Sequence, residues 1–262
     1  LTARVELPQT KYPEAAARQQ FFDSLLERVR GIPGVTGAAA GSVVVGRSSS
    51  SRFSIEGRTE TVQQPLTFDS VTPDFFQVLQ VPLLRGRFFS DRDRADTEPV
   101  AIINETAART HWPNEDPLGK RFKFGAPEDD DARWRTVVGI VADTRRAGVD
   151  YPVRTESYQP LAEDSRSMSV VIRTAGEPAA IAPELRAAVR ELDPDQPLAR
   201  VAPLDELIGN QTAARRFITW MLGAFGMAAI ALTAIGLYSL LAYLVALRRH
   251  EMAVRLAIGG SP

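Results

Sequence analysis

The sequence contains no cysteine and only two histidines, His111 and His250, among its 262 residues. Without cysteine it can form no disulfide, no thiolate zinc site and no cysteine nucleophile. If the apolar run between the two histidines crosses a membrane, they lie on opposite sides of it and cannot join in a triad or zinc site. We therefore expect a non-catalytic protein with no catalytic residue, metal or cofactor of its own.

Concentrated positive charge is also missing. The chain carries 31 Lys and Arg against 32 Asp and Glu, a net charge of −1, without a basic cluster of the density that nucleic-acid binding needs. It also lacks a glycine pattern with the spacing of a phosphate-binding loop. We expect no nucleic-acid partner, and any ATP hydrolysis must occur on another polypeptide.

Two acidic groups remain as candidates for metal or acid–base chemistry. They are Asp91 with Asp93, and the run Asp129-Asp130-Asp131. Neither has the oxygen-ligand spacing of a calcium loop. We interpret both as solvated loops.

Charge is wholly absent from Phe217 to Leu247, a run of 31 residues between two arginine pairs. As a helix it would reach roughly 46 Å, against about 30 Å of hydrocarbon, so it can span a membrane once. Trp220 and Tyr243 lie 23 positions apart, about 35 Å on a straight helix. This spacing is typical of two interfacial aromatic anchors.

A stripe of small residues runs along the predicted span. Gly226, Ala229, Thr233 and Gly236 alternate at spacings of three and four, so they share one helix face. Small residues let a second helix approach closely, which is how membrane helices commonly associate. We call these four positions the small-residue seam and predict that it packs against another helix. The alternative is that the stripe faces lipid without a partner.

The long polar part before the span has the pattern of an α+β fold. A helix over 13–30 lies between two extended runs, 3–7 and 35–45. The same order returns near the end of this part, with a strand at 168–173, a helix at 181–192 and a strand near 199–202. We predict one split domain of two β-α-β units, residues 1–46 and 166–208. The strand-rich α+β segment 47–165 is predicted to be inserted between them.

Within the inserted segment, several local patterns predict short elements. Thr72 and Pro73 are typical of a helix start, a second short helix is predicted from Glu105 to Trp112, and Trp134 to Val141 has the composition of a buried strand. The serine tract 47–52 predicts a flexible crossing between subdomains.

After the span, residues 248–258 continue with a helical pattern. Glu251 and Arg255 stand at i and i+4, and Met252 and Leu256 lie on a neighbouring stripe. The segment predicts a short amphipathic helix, or else a stop-transfer flank on the lipid headgroups. The flanking arginines leave the orientation of the span open.

Several motifs, in this order and followed by a membrane helix, resemble the periplasmic core domain of FtsX/MacB-type ABC transporter permeases, most like the acidobacterial-type duplicated permeases. They are Thr72-Pro73-Asp74-Phe75-Phe76, Pro82-Leu83-Leu84-Arg85-Gly86-Arg87, Val100 to Glu105, Trp112-Pro113, Asp116 to Lys120, Val137 to Val141, and Glu251 to Ser261. The resemblance implies a periplasmic domain of two subdomains, a porter-like split one and a sabre-like inserted one.

The resemblance also implies partners and topology. Residues 1 to about 215 would be periplasmic and 248–262 cytoplasmic in a bacterial inner membrane, with an ABC-type ATPase subunit docked on the cytoplasmic segment. Glu251, Arg255, Ala257 and Gly259 match the family pattern for this coupling, while Ala253 stands where Gly is usual and Gly260 where Ala is usual. Further transmembrane helices of the full-length chain and a dimer of permeases are the other implied partners.

Two functions therefore stay open at this point, besides a less favoured membrane-anchored enzyme. The first is a permease fragment that transmits ATPase-driven motion to its periplasmic domain, and the second is the extracytoplasmic sensor domain of a signalling receptor. The chain begins with Leu1 and stops just after a helical pattern, so we expect it to be a piece of a longer protein. Further apolar spans beyond it would favour the permease, and a long polar heptad pattern the receptor.

Overall fold

A computed structural model describes residues 1–46, 48–93, 97–146, 152–161 and 166–257. The chain divides into two compact units, Leu1–Ile208 and Gly209–Pro262.

Among the described residues, eleven strands join in one sheet. They are β1 Thr2–Glu6, β2 Val35–Gly41, β3 Ser50–Ile55, β4 Val62–Val71, β5 Leu83–Gly86, β6 Val100–Asn104, β7 Arg121–Phe124, β8 Arg135–Val141, β9 Glu156–Pro160, β10 Ser167–Thr174 and β11 Leu198–Ala202. The α-helices are α1 Ala15–Arg30, α2 Phe75–Val78, α3 Glu105–His111, α4 Ala182–Leu192 and α5 Leu204–Ala257, and a 3₁₀ turn spans Pro178–Ile181.

Four strands form the first part of the sheet, in the order β11-β1-β10-β2 with antiparallel neighbours. Strands β1 and β2 are therefore parallel with β10 between them, and β10 and β11 are parallel with β1 between them. The segments β1-α1-β2 and β10-α4-β11 therefore alternate in this part of the sheet, while the split domain itself stays a prediction. Helices α1 and α4 pack against each other and close a core that includes Phe22, Leu25 and Leu185.

The next six strands close on themselves. Their order is β4-β3-β7-β8-β6-β9, and β9 pairs back with β4, so the ring has no open edge within it. Closure removes the edge strands that would otherwise invite pairing with other chains. The hydrophobic core of the ring includes Phe53, Trp112 and Phe122, and helix α3 packs against the ring.

A single residue pair, Gly41 opposite Val71, joins β2 to the ring. A side chain at Gly41 would come within 2.5 Å of the Phe75 ring, so the close approach requires glycine. Because one continuous sheet carries both parts, the proposed division at 46 and 165 stays a prediction.

The motifs Pro82 to Arg87 and Val137 to Val141 meet at a pair of glycines. Gly86 of β5 lies opposite Gly139 of β8. A Cβ at Gly86 would stand 2.3 Å from the carbonyl oxygen of Val138, and one at Gly139 would stand 2.3 Å from that of Arg87. Only glycine at both positions lets these strands approach, which explains why each motif contains one.

Three local predictions were wrong in detail. The serine tract is not a simple crossing, because Ser50 and Ser51 pair with β4. The strand predicted to reach Val45 ends at Gly41. The hydroxyl of Thr72 does not cap helix α2; it accepts from the backbone N–H of Ala40 and donates to the Ala40 carbonyl, fastening the chain to β2.

The second unit is helical through its described residues. Within helix α5, Ile218–Ala246 is long and apolar enough to cross a membrane, with a mean hydropathy of 2.0 and none of it buried. This segment lies inside the predicted span from Phe217 to Leu247, whose ends stay predictions. Its wholly exposed apolar surface is what a helix in lipid presents, and a soluble core helix would bury it.

Candidate membrane-coupling site

The small-residue seam lies on one exposed side of helix α5. At 3.6 residues per turn its four positions fall within roughly 80° of arc. A Cβ added at Gly226 or Gly236 would meet nothing within 4 Å, and the hydroxyl of Thr233 donates to the carbonyl oxygen of Ala229 at 2.8 Å. The face is therefore flat and its hydroxyl is satisfied within the helix, which leaves it suited to van der Waals packing. Contact with a second helix stays a prediction.

The seam extends one turn beyond the predicted positions. Gly223 precedes Gly226 by three residues, and a Cβ there would also meet nothing within 4 Å. Trp220 and Tyr243, the predicted interfacial anchors, are both exposed toward the two ends of the apolar segment. Their depth in a membrane stays a prediction.

The predicted coupling residues stand at the end of the helix. Glu251, Arg255 and Ala257 belong to the helical backbone of α5, which continues without a break from the apolar segment. Gly259 lies outside the described residues. The predicted coupling residues that the structure describes and the apolar segment are therefore parts of one helix.

A buried ion cluster, which the sequence patterns did not predict, lies where β2 leads into the ring. The guanidinium of Arg146 contacts Asp69 at 2.7 Å and Glu156 at 3.3 Å, and the three side chains are 8%, 2% and 9% exposed. Arg146 Nη1 also donates to the carbonyl oxygen of Val43 at 2.6 Å, and the backbone N–H of Gly46 donates to the Arg146 carbonyl. The cluster thus anchors the segment that follows β2.

Hydroxyl groups complete the cluster around Asp69. Ser42 and Ser48 donate to its two carboxylate oxygens at 2.7 and 2.5 Å. Tyr158 donates to Glu156 at 2.6 Å, and burial raises the pKa of this phenol above its usual value, so it stays a neutral donor. A buried carboxylate needs such partners because desolvation of an unpaired charge is costly.

The buried side chain of Asn104, in the motif Val100 to Glu105, links helix α3 to strand β9. Its side-chain oxygen accepts from the backbone N–H groups of Ala107 and Glu156, and its amide nitrogen donates to Asp143 and to the carbonyl oxygen of Arg154. One buried amide therefore caps helix α3 and ties it to β9, with its donors and acceptor all in use.

Two of the acidic candidates for chemistry, Asp93 and Asp129, form structural contacts. Asp93 is not solvated as predicted, because Arg87 binds both of its carboxylate oxygens and its side chain is only 8% exposed. These hydrogen bonds from Arg87, with those from Ser90, lower the pKa of Asp93 to about 2. Asp129 accepts from the backbone N–H of Asp131 within its own loop. Among the described residues, no group of three acidic or histidine side chains is placed to hold a metal.

His111 is a buried titratable group in the ring core. It is 4% exposed, stacks edge-on against Phe53 at 4.8 Å, and has no hydrogen-bond partner for Nε2 among the described residues. Burial, with the charge of Arg58 as a smaller cause, lowers its pKa to about 4. The folded domain therefore holds this imidazole neutral.

Stability of the domain should fall with acidification because of His111. The unfolded chain binds a proton near pH 6.5 and the folded chain only near pH 4, so the contribution is constant above about pH 7 and is lost as the pH falls. We expect His111 to lower the free energy of unfolding by about 2 kcal/mol between pH 8 and pH 5. Urea unfolding of the wild type and of His111→Phe at both pH values measures the difference; equal pH dependence of the two would contradict it.

The fold and the exposed apolar helix define a class: a mixed α/β domain followed by one candidate membrane span. Residues 4–192 match the family model of the MacB-like periplasmic core domain. The chain therefore belongs to this family, as the motifs had indicated.

Two curated relatives and one solved structure illustrate the similarity. The uncharacterized ABC transporter permease YknZ of Bacillus subtilis (strain 168) is 20% identical over 251 residues, which are 95% of this chain and 60% of YknZ. The macrolide export ATP-binding/permease protein MacB of Marinobacter nauticus is 22% identical over 200 residues, 69% of this chain and 28% of that protein. The chain thus spans three fifths or less of these relatives.

The periplasmic region of MacB from Actinobacillus actinomycetemcomitans has the same fold. Its crystal structure superposes with a TM-score of 0.52 at 16% identity, covering 80% of this chain and 92% of that region. The homologues are permease proteins of ABC transporters, so a receptor sensor domain is not favoured. The acidobacterial-type resemblance stays a prediction.

Proposed function

We propose that this chain is part of an ABC transporter permease, of efflux or lipoprotein-handling type, and that it transmits motion from a partner ATPase across the membrane. The observation that carries the proposal is the order of parts. A MacB-like periplasmic core domain over residues 4–192 is followed by the apolar segment Ile218–Ala246, and its helix continues to Ala257. One element thus connects the membrane span to the predicted ATPase-coupling residues.

The span is suited to transmitting force and unsuited to binding a polar solute. It contains no charged residue, and a polar substrate within a membrane needs charged or polar partners. The chain has no proline from Phe217 to Ser261, and proline is the commonest cause of a sharp kink. In the proposed mechanism the substrate is handled outside the membrane, and ATP hydrolysis occurs on the partner.

The proposal places residues 1 to about 215 in the periplasm and 248–262 in the cytoplasm of a bacterial inner membrane. It also divides the periplasmic part into a split subdomain, 1–46 with 166–208, and an inserted subdomain, 47–165. Separate hydrophobic cores beneath α1 with α4 and within the closed ring support that division. The small-residue seam would pack against another helix of the full-length chain or of a second permease.

Replacing Glu251 and Arg255 together by alanine should weaken binding of the ATPase. Both positions match the family's coupling pattern, and loss of both charges removes the side chains that would contact the partner. We expect about a tenfold lower yield of co-purified ATPase, equivalent to about 1.4 kcal/mol. The measurement is affinity purification of the full-length permease co-expressed with a cognate ABC ATPase.

A matched control removes the same two charges elsewhere. Arg52 and Glu60 are exposed residues of the periplasmic part, so their double alanine variant should retain the ATPase. Membrane insertion should be unchanged in both variants. Undiminished co-purification after the Glu251 and Arg255 changes would remove the docking assignment.

A further inference from the structure

A groove of about 420 Å³ lies beside helix α4 and the start of strand β11. Its lining includes Arg186, Val189 and Arg190 from the helix, and the exposed Asp195 and the buried Gln196 from the connection to the strand. The apolar floor comes from Val189 and from prolines of the connection. None of these residues belongs to the membrane helix or to the coupling segment, so the groove is separate from the site described above.

The two arginines of the groove carry uncompensated charge. Among the described residues, the side chains of Arg186 and Arg190 form no ion pair and no hydrogen bond. They stand at i and i+4 on α4, so their guanidinium groups project from the same face, where like charges repel. An anion bound between them would relieve this repulsion.

Among the described residues, no carboxylate pairs with either arginine, and the nearby ones contact other cations. Glu191 pairs with Arg28 at 2.5 Å, and Lys11 lies 2.6 Å from Asp193 and 3.2 Å from Asp195. Tyr12 donates a further hydrogen bond to Asp193. Because one Lys11 serves both carboxylates, the exposed Asp195 offsets part of the positive charge of the groove, and the remainder is available to a ligand.

The side chain of Gln196 indicates which further group a ligand of the groove should carry. Its side chain is buried, and its amide nitrogen donates to the carbonyl oxygens of Glu6 at 2.9 Å and Pro197 at 3.2 Å, which fixes the amide orientation. The remaining atom, Oε1, has no hydrogen-bond partner among the described residues. A buried acceptor without a donor is unfavourable, so an occupant of the groove should supply an N–H or O–H group.

We propose that this groove binds a phosphate ester that also carries a hydroxyl or ammonium group. Two guanidinium groups one turn apart can share the oxygens of one phosphate, a ligand that arginine binds in bidentate fashion. The hydroxyl or ammonium group meets the free acceptor of Gln196. A phospholipid headgroup and a soluble glycerophosphate share this chemistry, and the proposal does not depend on the transport function.

Isothermal titration of the whole chain in a neutral detergent tests the groove. The probes are glycerol 1-phosphate, dihexanoyl phosphatidylglycerol, and dihexanoyl phosphatidylcholine, which has the phosphate but no donor group. We expect saturable binding of at least one of the first two and weaker binding of phosphatidylcholine. Arg186→Gln and Arg190→Gln should each weaken binding about tenfold, while Arg52→Gln, with the same change in charge, should leave it unchanged.

The result also identifies the source of the ligand. Tighter binding of phosphatidylglycerol than of glycerol 1-phosphate indicates a lipid headgroup, and the reverse indicates a soluble ester. Both arginines are exposed, so far-UV circular dichroism should show all three variants folded. Absence of saturable binding, binding unaffected by the two groove variants, or tighter binding of a tri-aspartate peptide than of either phosphate ester would overturn the proposal.

Discussion

Replacing Arg146 by methionine should lower the free energy of unfolding by about 3–5 kcal/mol. Methionine fills similar space but leaves the carboxylates of Asp69 and Glu156 buried without their counter-ion. It also removes the hydrogen bond to the carbonyl oxygen of Val43. Urea unfolding of the whole chain in detergent, followed by tryptophan fluorescence, measures the change, because Trp112 and Trp134 report on the domain.

An exposed ion pair provides the control. Arg85 contacts Asp116, but both side chains are about half exposed, so Arg85→Met should cost less than about 1 kcal/mol. Adding Asp69→Asn and Glu156→Gln to Arg146→Met should recover part of the loss, because the stranded charges are then gone. A cost for Arg146→Met no larger than that for Arg85→Met would show that the buried cluster does not stabilise the fold.

The ion cluster of Asp69, Arg146 and Glu156 lies beside the junction between β2 and the ring. Strand β2 meets the ring through one residue pair, Gly41 with Val71, which alone is a weak connection. Ser42, Ser48 and the carbonyl of Val43 all hydrogen-bond into the cluster. The charged groups therefore hold together the two parts of the sheet where backbone pairing is sparse.

Local patterns in the sequence predicted the elements that depend on local forces. The helices now numbered α1, α3 and α4 and the strand β8 lie within a few residues of their predicted bounds, because apolar periodicity and capping act over one or two turns. The sequence could not predict the closure of the ring, since β4 and β9 pair across some ninety residues of chain. Nothing local distinguishes a strand that closes a ring from one that ends a sheet.

The same limit applies to the charged residues. Asp69, Arg146 and Glu156 are far apart in the chain and match no short motif, so only the fold reveals their contact. Asp93 was predicted to be solvated because its group lacks the ligand spacing of a calcium loop, yet Arg87, directly after strand β5, binds its carboxylate. In contrast, the shared face of the small-residue seam could be predicted because all of its positions lie on one helix, where spacing alone decides the face; its packing stays a prediction.

Leucine at Gly226 and Gly236 together should abolish most of the association between helix α5 and its partner. A side chain at either glycine meets nothing in this chain, so the substitution adds no clash within the helix itself. Two leucines instead hold a neighbouring backbone away and remove its close contacts. We expect the dissociation constant for self-association of the chain to rise on the order of a hundredfold, about 2.7 kcal/mol, measured by energy transfer between labelled chains in vesicles.

The opposite face of the same helix supplies the control for the seam. Ala224 and Ala231 lie roughly 150° from Gly226 around the helix, so leucine at both adds similar bulk away from the seam. That variant should associate as the wild type does. If the partner is another helix of the full-length chain, the seam variant should instead lower the folded yield of the full-length permease while the control does not. Equal behaviour of the two variants in both measurements would assign the stripe to lipid, because lipid does not distinguish one helix face from the other.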